Sequence, residues 1–457
     1  MVHPGVLPRR VIEELEDVAG PHRVVTDPEL LVGSLVDWTG RWEGSSPVML
    51  RPRLTSEVAG HLGVLNHHGV PVQFQGGNTG MVGGSVPMGG EVLVSLRDLV
   101  GIEEVDERSG QMVVAAGTTL AEVQQTALQS GWRYPVDLGA RDTATIGGTV
   151  ATNAGGVHVL RDGMTRAQVL GLEAVLADGR IMESLRGLDK DNTGYHLPSL
   201  FTGSEGTLGA ITRVRLRLLP PHDEEAVAML GFTGLDAAIE AVGQLRRHTD
   251  VQAIEIMLED VLELVVDHLG VSLPLSRAWP VVLLVEAAGT AGVVDRLASV
   301  VHDGSDPAEV VVASDLAGRH RLWAHRDAHS VAISTLGVPT KLDVTVPQGR
   351  VAAFIGEVRE AAVTDGASQA WIFGHAGDGN LHVNLTGPEP AGLADRILHL
   401  VVDAGGSVSA EHGIGRDKVD WLGACRGPGE LQVFRMVKDA LDPVSYTHLT
   451  LPTTPYV

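Results

Sequence analysis

Cysteine is nearly missing from this 457-residue chain: Cys425 stands alone. One thiol cannot make an internal disulfide framework, a cysteine zinc site or an iron–sulfur cluster within the chain. It fits a reducing compartment, and the expected location is cytoplasmic. Long hydrophobic runs are also missing. No stretch of about 18 apolar residues occurs, so no membrane span is expected. The first ten residues, MVHPGVLPRR, lead into no apolar segment, so no secretory signal is expected. Basic residues are few, 34 against 57 acidic ones, for a formal net charge of -23. A surface this acidic repels nucleic acid and anionic membranes. An anionic substrate would need a local positive site, and the segment from Arg319 to Lys341 offers Arg319, Arg321, Arg326 and Lys341.

What is present is a soluble globular composition, 44% hydrophobic and 20% charged. The length calls for two or three domains. Residues 1–45 form a polar N-terminal segment with helical spacing in VIEELEDVAG. From 46 to 221, β-like runs (71–74, 92–96, 112–116) alternate with helical stretches (56–67, 119–129). Residues 209–219, GAITRVRLRLL, alternate at period two, as a half-exposed strand does. Pro220 and Pro221 then break the chain, and a boundary is expected there. A second α/β unit follows over 222–443. Helices are expected at 234–247, 260–269 and 317–334, and a buried strand at 280–286.

Three loops are crowded with small residues. Gly76, Gly77, Asn78, Thr79, Gly80, Gly83 and Ser85 fall in QGGNTGMVGGS. Gly139 precedes Gly147, Gly148, Asn153 and Gly156 in IGGTVATNAGG. Glu205 and Gly206 lie in GSEGTLG. Such loops let backbone N–H groups approach phosphate oxygens closely. The spacing is neither that of a Rossmann turn nor that of a Walker loop. One cluster alone reads equally well as a surface loop; three within 140 residues fit one extended dinucleotide better.

The sharpest local signal is FGHAGDGNLHVN, residues 373–384. Its glycines argue against a helix, and Asp378-Gly379 signals a two-residue hairpin. Centred there, the turn would pair His375 with His382 and bring two imidazoles to one divalent ion. SAEHGIG, residues 409–415, supplies a carboxylate, Glu411, beside His412.

These segments, with KDNTGYHLPSLFTGSEGTLGAIT (190–212), resemble the vanillyl-alcohol oxidase and p-cresol methylhydroxylase flavoprotein superfamily, in its branch of D-2-hydroxyglutarate, D-lactate and glycolate dehydrogenases. The resemblance runs from about residue 20 to 443. It implies an α+β fold: a two-subdomain FAD-binding domain over 46–221, then a ferredoxin-like substrate-binding cap and a C-terminal helical segment within 222–443. It implies noncovalent FAD, with the first loop on the pyrophosphate and the other two along the ribityl chain and adenine side. His375, His382 and Glu411 match metal-ligand positions; zinc is expected, and manganese or iron(II) would tolerate the same set. Arg326 matches a carboxylate clamp and Lys341 a contact to the distal part of the substrate. Ser330 matches a small hydroxyl residue. Asn384 follows the hairpin and offers a further substrate contact. His412 is the candidate base, since a neutral imidazole can take a proton, with a supporting role beside Glu411 as the alternative.

The implied reaction is oxidation of a D-2-hydroxy acid, D-2-hydroxyglutarate before D-lactate because two cations suit a dicarboxylate. Electrons would pass to a soluble carrier such as an electron-transferring flavoprotein, or to a quinone; relatives are often dimers. An oxygen-using 2-hydroxy-acid oxidase and a nonredox flavin-binding protein stay open. A cell-wall precursor reductase using NADPH is disfavoured by the histidine hairpin. Residues 444–457, VSYTHLTLPTTPYV, depart from the family ending and are expected to be non-native; His448 is given no role.

Overall fold

A computed structural model describes residues 7–304, 306–366, 368–388 and 392–443. The expectation for 444–457 lies outside the described residues. The chain divides into two compact units. The first takes the chain up to Gly156, Gly163–Pro221 and the segment from Glu411 onward; the second takes Val157–Asp162 and His222–Ala410.

The first unit holds two sheets. One has four short strands in the order Val24–Val25, Met49–Leu50, Val92–Ser95, Val72–Gln75, and its last three run parallel. Val92–Ser95 is buried throughout, which is why it reads as a continuous apolar run. Helix Thr55–His68 covers this sheet through Val58, Leu62 and Leu65. Helix Arg9–Ala19 adds Val11 and Leu15 to the same core, so the N-terminal segment is part of the unit. The other sheet is antiparallel, in the order Ile102–Asp106, Gln111–Ala115, Ala210–Arg217, Val169–Val175, Ile181–Ser184. Alternation from Arg213 to Arg217 buries Val214 and Leu216, and Ile211 is buried beyond a register shift in the pairing with Val169–Val175. The alternation turns Arg213 towards Glu103 and Arg215 towards Glu104. The C-terminal helix Pro428–Leu441 packs Val437 and Leu441 on this core.

The second unit is one seven-stranded antiparallel sheet flanked by helices. Its order is Glu309–Ala313, Glu224–Phe232, Val281–Gly289, Val251–Leu258, Gln369–His375, Asn380–Thr386, Thr340–Thr345. The mixed α+β class is as the sequence implies. The single helix expected over 317–334 is instead two, Leu316–Asp327 and His329–Ser334. Ala328, at φ -74 and ψ -11, closes the first and opens the second.

Candidate functional site

In the first unit the small-residue loops enclose a cavity of about 720 Å³. Its wall includes Gly76, Gly77, Asn78, Thr79, Gly80, Ser85, Gly139, Gly147, Gly148, Gly156, Glu205 and Gly206. Gly83 and Asn153 are not on it. Gly83 lies against Trp42, where a Cβ would come within 2.7 Å of the ring. Asn153 caps helix Ile146–Thr152 in the left-handed region and accepts from the Arg166 N–H at 2.9 Å.

The glycines work differently from one another. A Cβ on Gly77 would meet the Thr143 carbonyl at 2.1 Å, and one on Gly76 the Thr145 hydroxyl at 2.5 Å. Both positions serve loop-on-loop contact, whereas Gly80 and Gly139 open into free space. The N–H groups differ too. Those of Ile146, Gly147 and Gly148 already donate to Thr118, Ala116 and Thr145. Among the described residues, those of Gly77, Asn78, Thr79 and Gly80 have no protein acceptor. Asn78 takes a left-handed φ of 57°. Its side chain is engaged by Val36 and Ser85, so only its backbone is offered. A left-handed residue in such a run turns successive N–H groups inward, as in anion-binding nests. The donor set fits a pyrophosphate at the first loop, and the same cavity is lined by the other two small-residue loops.

Glu205 turns its carboxylate to the backbone of SAEHGIG, residues 409–415. It accepts from Ile414 N–H at 2.8 Å and Gly415 N–H at 2.9 Å. Burial pushes its pKa up, and those two donors and Lys418 oppose the rise. Glu411 and His412 also line the cavity, and Glu411 accepts from Gly156 N–H at 3.0 Å.

In the second unit the histidine hairpin differs in register from the expectation. His375 pairs with Asn380 and Phe373 with His382. Four residues form the loop, with the His375 carbonyl accepting from Asp378 and Gly379. A two-residue turn of the expected kind needs left-handed backbone at both central positions. Gly379 has it, at φ 83°, and Asp378 does not. The two histidines are therefore diagonal neighbours on one face. Their rings still converge, with centroids 5.2 Å apart.

Two buried carboxylates flank them. Glu255 sits opposite His375 and Asp343 opposite His382. Glu255 Oε1 is 2.6 Å from His375 Nδ1, and Asp343 Oδ1 is 3.3 Å from His382 Nδ1. Each imidazole thus has its Nδ1 beside an anion, the arrangement that puts the ring's lone pair on Nε2. Imidazoles that ligate metals are oriented in this way, so the donor set fits a divalent ion. Burial would raise the Glu255 carboxyl, but His375 and Arg326 outweigh it and hold the pKa at about 2.

Two cations complete the face. Arg326 pairs with Glu255 through Nε at 2.6 Å, and its Nη2 lies 3.5 Å from His375 Nε2. Lys341 is half-buried, and burial pulls its pKa down. No partner faces its ammonium among the described residues. Lys341 pairs in register with Asn384, a buried amide whose bonds to Trp371 and His382 carbonyls are long, at 3.5 Å. Arg319 is spent on Glu225. Ser330 is exposed on its helix, and among the described residues no side-chain hydrogen bond ties it to this cluster. Sequence reading missed Glu255 and Asp343. The available signal was a lone acid in an apolar strand, VQAIEIML, where an unpaired charge would be costly.

Family models match both parts of the chain. Residues 46–184 match the family described as FAD binding domain, and residues 221–446 match FAD linked oxidases, C-terminal domain. A mitochondrial D-2-hydroxyglutarate dehydrogenase of Bos taurus is 39% identical over 96% of this chain and 83% of its own length. A D-2-hydroxyglutarate dehydrogenase of Xanthomonas citri is 33% identical, covering 94% of each chain. Among solved structures, p-cresol methylhydroxylase with substrate bound has a TM-score of 0.77 at 15% identity. It covers 98% of this chain and 97% of its own, which shows a shared fold. The chain therefore belongs to the FAD-linked oxidase family, in the branch that holds the D-2-hydroxyglutarate dehydrogenases.

Proposed function

We propose that this protein is an FAD-dependent dehydrogenase that oxidises a D-2-hydroxy acid to the 2-oxo acid, with D-2-hydroxyglutarate as the preferred substrate. The observation that carries the reading is one sheet face on which a convergent histidine pair lies with two cations, Arg326 and Lys341. Two cations match two carboxylates. The guanidinium fork suits bidentate binding of the carboxylate beside the alcohol, and the ammonium suits the distal one. Asn384, opposite Lys341, offers an amide to the same end of the substrate.

His375 and His382 would hold a divalent ion, zinc by ligand type, with Glu411 as third ligand. Glu411 follows Ala410 in the chain, and the Ala410 N–H donates to the carbonyl of Asp343, the residue opposite His382. When bound, the flavin supplies the electron sink and the ion a Lewis acid that lowers the pKa of the substrate hydroxyl. His412 is the proposed base, taking the hydroxyl proton on an imidazole nitrogen. Gly77–Gly80 would hold the cofactor phosphates through backbone N–H groups. The proposed acceptor is a soluble electron carrier or a quinone, and the proposed location is the cytoplasm. No described helix is long and apolar enough to cross a membrane.

Anaerobic mixing tests the proposal. D-2-hydroxyglutarate should bleach the flavin absorbance of the purified protein, and L-2-hydroxyglutarate should not. Bleaching by neither, or equal bleaching by both, would remove the assignment. Stoichiometric hydrogen peroxide in air would instead make it an oxidase.

A further inference from the structure

Strand Val251–Leu258 is buried along its whole length, and Glu255 is its only charged side chain. It is fully buried. A charge there is hard to explain by packing, because apolar side chains of similar volume stabilise such sites at least as well. The contacts of Glu255 are specific. Oε1 meets His375 Nδ1 at 2.6 Å and Oε2 meets Arg326 Nε at 2.6 Å. The neighbouring carboxylate is arranged differently, since Asp343 shares its charge between His382 and the neutral amide of Asn380.

We propose that Glu255 is a positioning residue that joins the metal-binding and substrate-binding halves of the site, fixing His375 as an Nε2 ligand with one oxygen and aiming the Arg326 fork with the other. The inference rests on the metal and substrate reading given above. A carboxylate that accepts from Nδ1–H leaves the imidazole lone pair on Nε2. The same carboxylate takes only Nε of the guanidinium; beyond the long 3.5 Å approach of Nη2 to His375 Nε2, the terminal N–H groups can turn to an anion.

Glu255→Gln separates these roles by chemistry rather than by size. An amide has one acceptor oxygen. If that oxygen faces Arg326, the NH2 group faces Nδ1 and forces the proton to Nε2, the wrong tautomer for a ligand. If it faces His375, the NH2 group opposes the Arg326 N–H. Neither orientation keeps both contacts.

The experiment uses the full-length, FAD-loaded protein and Zn2+ in competition with a chromophoric chelator. His375→Ala should lose the ion. Glu255→Gln should bind it about 10- to 100-fold more weakly, the range seen when such outer partners of metal ligands are removed. Its KM for D-2-hydroxyglutarate should rise together with this loss, with flavin content unchanged. Equal Zn2+ binding by wild type and His375→Ala would sink the metal reading itself. Loss of the ion in His375→Ala with wild-type affinity or wild-type KM in Glu255→Gln would overturn the role of Glu255 alone. Should the Gln variant fail to fold, nitrogen-15 shifts of the unaltered protein decide. The resonance that disappears in His375→Ala must show an Nδ1–H imidazole, and an Nε2–H form refutes the proposal.

Discussion

Lys341, on a strand, and His329, on a helix packed against Phe373, make opposite physical demands. The Lys341 ammonium is half-buried and has no ion-pair partner among the described residues, so part of its hydration is lost without compensation. An arriving carboxylate removes that deficit. Lys341→Ala should raise the KM for D-2-hydroxyglutarate by about 10- to 100-fold, as expected for loss of one charge-assisted hydrogen bond. It should leave the KM for D-lactate nearly unchanged, because a mono-acid has no distal group to lose. A parallel rise for both acids would place Lys341 elsewhere in the site. His329 is fully buried against Phe373 at 4.8 Å, and its Nε2 lacks a partner. Burial first, then neighbouring Arg326, push its pKa down to about 3. A folded pKa below the unfolded value of 6.5 means that the unfolded chain binds the proton more readily. Stability from this group is therefore complete above pH 6.5 and falls as pH drops towards 3, by about 1.4 kcal/mol per unit. His329→Leu should flatten the thermal-stability curve between pH 7.5 and 5; parallel curves for variant and parent would contradict it.

At the scale of elements, local sequence pattern reaches some features and stops at others. The strand expected at 92–96 is Val92–Ser95, and the helix expected at 56–67 is Thr55–His68, because period and caps are written within a few residues. The hairpin was legible as a hairpin, but its register was not. Asp-Gly is compatible with a two-residue or a four-residue loop, and the choice depends on contacts outside the motif. Gly377 N–H donates to Ile254, and Val346 N–H donates to Gly379. The role of Glu255 was not legible for a similar reason: a lone acid in an apolar strand was visible, but its partner His375 is 120 residues away. Gly379 shows what the turn requires. It has φ 83°, and a Cβ there would lie 2.3 Å from the Val346 carbonyl. Gly379→Ala should lower the melting temperature, from about 1–3 kcal/mol of backbone strain. Because the same turn sets where His375 and His382 stand, the variant should also hold Zn2+ less tightly. Loss of stability with intact Zn2+ affinity would show that the loop and the histidine face are independent.

Over the whole molecule the chain passes between its two units four times, at 156–157, 162–163, 221–222 and 410–411. Neither unit is one continuous piece of sequence, and composition marks only the passage at Pro220-Pro221. The short insertion Val157–Asp162 belongs to the second unit because His158 pairs with buried Glu286 and Leu160 lies against Gly377. Such contacts depend on the assembled sheet, so they leave no local trace. The division has a functional consequence. The residues lining the flavin cavity belong to the first unit, whereas the histidine pair and its flanking carboxylates belong to the second. Flavin binding should then survive changes to the histidine face. His382→Ala is the informative variant, because His382 is partly exposed and its removal leaves Asp343 still bonded to Asn380. The purified variant should carry the parent's ratio of FAD to protein while substrate no longer bleaches the flavin. If FAD were lost along with Zn2+, the cofactor would depend on the second unit, and the first-loop N–H groups would not suffice to hold it.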